Sequence, residues 1–120
     1  MRARPYQAGL SGEAAAEAYL TGKGMTCLER RFRAMDGELD LIMQDGETIV
    51  FVEVKSRPGG RHGEGLMAVT PAKQRRMVHA AGAYLMEREL FGSPIRFDVV
   101  ELSADGLYHL PNAFQPAAWT

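Results

Sequence analysis

A single cysteine, Cys27, leaves no internal disulfide to be made. Between Thr26 and Leu28 it reads as a small hydrophobe in a strand, an inert thiol rather than a reactive one. Long apolar runs are missing as well. Stretches such as Ile49 to Val52 fall far short of the roughly twenty residues that a membrane-spanning helix needs, so no membrane segment is expected. Charge of one sign is also lacking: 14 Lys and Arg stand against 15 Asp and Glu, for a net charge of −1 and a pI of about 6.3. That balance argues against a protein that coats nucleic acid through a global basic field. His62, His79 and His109 lie far apart in sequence and there is no cysteine pair, which argues against zinc. No Walker loop, dinucleotide-type glycine signature or serine nucleophile elbow is present. The basic start, Met1 to Gln7, is not followed by an apolar stretch of the kind a secretory signal carries, and a cytoplasmic location is expected.

What is present suffices for one domain. With 46% hydrophobic residues the chain can bury a core, and a single domain over residues 1–120 is expected, of α/β class. Ser11 is an N-cap and Glu13 suits the first turn of a helix that Gly22 and Gly24 bring to an end. Met25 to Arg33, Glu38 to Gln44 and Thr48 to Lys55 read as three strands, the last apolar on both faces and so central. Asp36-Gly37 and Asp45-Gly46 are the turns between them. Ser56 to Val69, rich in glycine and without periodicity, reads as a mobile loop. Thr70-Pro71 starts a second long helix, with Met77, Ala80, Ala81, Tyr84 and Leu85 as its buried stripe. Ile95 to Leu102 and Leu107 to Leu110 are the last strands, joined at Asp105-Gly106, and the tail from Pro111, with Phe114 and Trp119, reads as irregular. The order αβββαββ implies a mixed central sheet covered by helices, its fourth strand parallel to the third.

Chemistry concentrates on the hairpin. If Asp45 and Gly46 are its loop residues, Asp40 faces Phe51 and Glu38 faces Glu53, so that Asp40 and Glu53 are diagonal neighbours on one face, close enough to share a divalent cation. Lys55 points from the same face. Charged groups at the end of a buried strand must be paired, hydrated or metal-bound; a structural ion pair of Lys55 with Glu53 or Asp40 is the alternative. For phosphodiester hydrolysis, carboxylates hold the metal and a lysine stabilises the transition state. Lys73 and Arg76 extend the stripe of the second helix toward its N-terminus and are candidate phosphate ligands, as are Arg57 and Arg61 in the loop. Lys73 reads equally as a solvated first-turn lysine. Glu13 is either a third carboxylate of the site or a surface residue satisfying the helix dipole, and Glu38 is equally ambiguous.

Gly12-Glu13, Gly37-Glu38-Leu39-Asp40, Val52-Glu53-Val54-Lys55, Arg96-Phe97-Asp98-Val99-Val100 and Asn112-Ala113-Phe114 together resemble the YraN-like family of small bacterial proteins over nearly the whole chain. That family is similar in its core to Holliday junction resolvases and other restriction-endonuclease-like folds of the PD-(D/E)XK type. The resemblance implies Asp40 and Glu53 as ligands of magnesium or manganese, Lys55 as the catalytic lysine and Glu13 as an additional acidic residue in both roles. For Asp98 an ion pair with Arg96 or a neighbouring basic residue is expected instead.

Two functions follow as expectations. The first is a metal-dependent endonuclease acting on structured or branched DNA, for which a homodimer is the natural form, with the strand after Ile95 as its contact. The second is a nucleic-acid or protein adaptor that keeps the nuclease fold and works by binding, alongside a protein partner yet to be identified.

Overall fold

The computed structural model describes residues 11–34 and 36–116. The basic start and Trp119 lie outside them. In chain order the elements are α1 (Gly12–Gly22), β1 (Thr26–Ala34), β2 (Gly37–Asp45), β3 (Thr48–Arg57), α2 (Glu64–Met67), α3 (Pro71–Glu87), β4 (Ile95–Ser103) and β5 (Gly106–Phe114). The strands form one sheet in the order β1-β2-β3-β4-β5. Only β3 and β4 run parallel, because the chain between them crosses over through α2 and α3. This is the mixed α/β architecture expected, compatible with a restriction-endonuclease-like fold. No helix among the described residues is long and apolar enough to cross a membrane.

The helices begin where their caps place them. Ser11 Oγ accepts the Ala14 amide at 3.1 Å, and Thr70 Oγ1 accepts the Lys73 amide at 3.2 Å, each satisfying a donor that has no partner within the helix. α3 lays Met77, Ala80, Ala81, Tyr84 and Leu85 onto Ile49, Phe51, Phe97 and Val99. On the opposite face α1 lays Ala15, Ala16, Tyr19 and Leu20 onto Val50, Val52, Val100 and Leu102. β3 is thus buried on both faces, which is why its sequence is a continuous apolar run and not an alternation. Cys27 is half-buried, and burial raises its thiol pKa, as suits an inert side chain.

Four expectations need correction. Asp45 pairs with Thr48, so the hairpin loop is Gly46-Glu47 rather than Asp45-Gly46; Gly46, with φ of 62°, supplies the left-handed first residue of a type II′ turn. The segment from Ser56 to Val69 is not irregular throughout, since β3 runs to Arg57 and Glu64–Met67 adds one turn of helix. β5 continues through Pro111 to Phe114, where Phe97 and Phe114 stack with ring centroids 4.8 Å apart; proline is accommodated because β5 is an edge strand. Finally, β4 lies between β3 and β5. The strand after Ile95 is therefore interior and offers no edge to a second copy.

Candidate metal centre

β2 and β3 pair from Asp45–Thr48 as far as Leu41–Val52 and then part. Beyond that point β2 stays with β1 through Leu39–Phe32, Glu38–Arg33 and Gly37–Ala34, whereas β3 stays with β4 as far as Arg57–Ser103. Gly37 explains the divergence. Its α-carbon lies so close to the Arg76 carbonyl of α3 that any side chain would collide with it, so the start of β2 is drawn against α3. The sheet opens into a fork at this point.

Asp40 is the first residue inside the fork. The loop correction shifts the hairpin register by two residues, which preserves the faces of the paired residues, and the pairing that ends at Leu41–Val52, continued by one residue, sets Asp40 opposite Glu53 rather than diagonal to it. Beyond that pairing the alternation breaks, with Leu39 on the α3 side and Leu41 on the α1 side. Asp40 Oδ2 accepts the Val54 amide at 2.7 Å, replacing the strand carbonyl that the fork removes. Glu53 is 3% exposed. Its Oε2 meets Lys55 Nζ and Lys73 Nζ, each at 3.2 Å, while its Oε1 is buried without a hydrogen-bond partner. Burial, followed by the neighbouring Glu53 charge, raises the Asp40 pKa to about 7, against the opposing pull of the Val54 amide. A buried acceptor left unpaired costs about 1–3 kcal/mol, and two carboxylates that repel add to that cost. A hard divalent cation would relieve both, and magnesium is commonly held by one or two carboxylates with water completing its shell. The donor set fits such an ion. Among the described residues, no group of three or more His, Cys, Asp or Glu side chains forms a closed metal cage.

The remaining candidates fall around this pair. Lys55 and Lys73 reach it from β3 and from the first turn of α3, each about a quarter exposed. Glu13 stands at the rim, where Arg31 Nε holds it at 2.8 Å; it does not join Asp40 and Glu53, although its charge helps to raise the Asp40 pKa. Glu38 pairs loosely with Arg33 at 3.5 Å. Arg57, at the end of β3, and Arg61, between β3 and α2, are exposed. Arg76 does not face the sheet as expected but is exposed, because the α3 backbone at this residue is occupied by Gly37 and the buried stripe begins at Met77.

Two buried carboxylates lie on β4, Asp98, whose structural pairing was expected, and Glu101, which was not singled out. Asp98, fully buried, is bonded by Arg96 Nε at 3.0 Å, His109 Nε2 at 2.7 Å and the Asn112 amide at 3.0 Å. Burial pushes its pKa up, but these three partners outweigh burial and hold it below the usual range. The expected pairing with Arg96 is part of this larger knot, which holds β5 where the β4–β5 register shifts between Phe97 and Val99. Glu101 is likewise fully buried. A charged residue inside the apolar run Phe97 to Leu102 was the available signal for both.

Comparison with known proteins places this geometry in a family. Residues 12–102 match the model of the uncharacterised protein family UPF0102, a span that holds the fork and both helices flanking it. A UPF0102 protein of Geobacter metallireducens is 42% identical over 113 residues, covering 91% of this chain and 93% of the relative. Others are those of Herminiimonas arsenicoxydans, 43% identical over 89% of this chain and 86% of the relative, and Symbiobacterium thermophilum, 49% identical over 78% and 80%. The chain belongs to the UPF0102, or YraN-like, family.

Proposed function

We propose that the protein is a divalent-metal-dependent nuclease that hydrolyses phosphodiester bonds in structured or branched DNA in the cytoplasm. The observation that carries this reading is the buried, unpartnered Glu53 Oε1 beside Asp40, whose pKa is raised to about 7. Asp40 and Glu53 would hold magnesium or manganese. A bound ion of this kind supplies a water activated for attack and neutralises charge on the phosphate. Once the Glu53 charge is met in this way, Lys55 and Lys73 can turn from the carboxylate to phosphate oxygens. Lys55 stabilises the extra charge of the pentavalent transition state, and Lys73, in the first turn of α3, binds a neighbouring phosphate where the helix dipole also favours an anion. Arg57 and Arg61 extend the phosphate track outward. Cutting a symmetric junction would require two copies of the chain.

A second reading, a non-catalytic adaptor for nucleic acid or protein, is favoured by the net charge of −1 and by the two lysines that already balance Glu53. One experiment separates the two. Magnesium, then manganese, is titrated into the protein and into Asp40→Ala, following amide shifts of the hairpin, with cleavage of branched DNA assayed on the same samples. The nuclease reading expects shifts at Glu53 and Val54 together with cleavage, both lost in the variant. Binding without cleavage of any substrate moves the weight to the adaptor, and no metal-induced shift at the fork overturns the proposed centre.

A further inference from the structure

Lys55, Glu101 and Tyr108 stand side by side on β3, β4 and β5, as register partners across the sheet. The segment that includes α2 lies across this row and touches every member of it. Glu101, with no exposed surface, accepts the backbone amides of Gly63 at 2.8 Å, Gly65 at 2.9 Å and Leu66 at 3.2 Å, and faces His62 Nδ1 at 2.8 Å. The His62 ring stacks on Tyr108, with centroids 3.5 Å apart. Gly65 covers Lys55 so closely that a β-carbon on it would lie 2.8 Å from Lys55 Cβ and 3.1 Å from Glu101 Cγ. The His62 amide bonded to Asp105 at 2.8 Å and the Ala104 amide bonded to the Gly60 carbonyl at 3.0 Å fasten the same segment to the β4–β5 turn.

A carboxyl group removed from water needs hydrogen-bond donors for its oxygens. The α2 turn supplies them, so Glu101 and α2 fix each other. The part of α2 brought down by this bond is the glycine that closes over the Lys55 stem. We propose that Glu101 is a positioning residue for Lys55: by clamping α2 it limits the rotamers of the lysine and keeps Nζ directed at the Glu53 carboxylate. The inference deepens the nuclease reading of the site and rests on that reading for its functional meaning.

Its test needs neither metal nor DNA. In protein with 13C-labelled lysine, order parameters at Cε of Lys55 and Lys73 are measured at one pH, with amide hydrogen exchange at Gly63, Gly65 and Leu66, for the parent, Glu101→Gln and Gly65→Ala. The glutamine places an N–H among donors, whereas the alanine keeps the Glu101 carboxylate but presses α2 away from both Lys55 and Glu101. Both variants are expected to lose at least about tenfold in protection at the three amides and to loosen Lys55, while Lys73, which shares the Glu53 oxygen but sits on α3, is unchanged. The proposal is overturned if the amides keep their protection, if Lys55 keeps its order once they lose it, or if both lysines loosen alike. Should Glu101→Gln fail to fold, Glu101→Asp, which keeps the charge but falls short of the three amides, takes its place with the same expected and overturning results. Because the readout is independent of cleavage, a chain that cuts no DNA leaves this result standing, and a negative result here leaves the metal titration standing.

Discussion

Asp40 completes the hydrogen bonding of Val54 and at the same time crowds Glu53, and substitution can separate these roles. A carboxyl whose folded pKa lies above its unfolded value takes up protons on folding. Its contribution therefore falls as pH rises from about 4, the unfolded value, to about 7 in the folded protein, and stays at its lowest above that. Stability should decline across this window by on the order of 2 kcal/mol, allowing for solvent at the mouth of the fork. Asp40→Asn, which keeps an acceptor for the Val54 amide, should flatten the slope and be the more stable protein at pH 8. Asp40→Ala should flatten the slope but lose about 1–3 kcal/mol by leaving the amide unpaired. Thermal unfolding from pH 4 to 8 checks both. Millimolar magnesium should flatten the parent curve too, since a cation favours the ionised carboxyl, and it should leave Asp40→Asn much less changed.

Among the elements, the contact between β2 and α3 governs the fork. Gly37→Ala introduces a β-carbon against the Arg76 carbonyl, and relief requires β2 or α3 to move, at a cost of about 1–3 kcal/mol. Urea denaturation should show that loss, and the ion pair of Lys73 with Glu53 should lengthen, because α3 carries Lys73. This contact was not legible beforehand: Asp36-Gly37 reads as a turn signal, and nothing local in sequence announces a close approach to a helix forty residues further on. Asp40, Glu53 and Lys55 were legible because a two-residue slip in a hairpin returns each side chain to its own face. Lys73 came from helical spacing counted back from Met77, and the same counting failed for Arg76, which sits at the edge of the stripe. α2 was hidden because its reason to be helical, Glu101, arrives from a strand much later in the chain. The extension of β5 was hidden likewise, since Pro111 signals an end unless the bonds from His109 and Asn112 to Asp98 are known.

At the scale of the molecule the balance of charge matters more than its sum. A net charge of −1 gives little long-range attraction for nucleic acid, so under the proposed nuclease reading affinity would have to come from a few cations at the fork. Lys73→Ala should weaken binding to branched DNA similarly across sequences and reduce the slope of log affinity against log salt by about 1. Binding isotherms at several salt concentrations check this. An unchanged slope would leave Lys73 as a partner of Glu53 alone.

The placement of β3, antiparallel to β2 on one side and parallel to β4 on the other, also bears on how the chain assembles. β2 and β3 are neighbours in sequence and meet through a tight turn, so little loop entropy opposes their pairing; β4 must wait for the whole crossover through α2 and α3. Asp40 and Glu53 can therefore come together while both are still in water, where their repulsion is weak. Lys73 belongs to α3, so its bond to Glu53 can form only once that helix has docked. Lys55, two residues along the same strand, is the counter-charge already at hand in the hairpin, and Lys73 is a second one that the crossover adds, so the acidic pair is never without a cation in its neighbourhood.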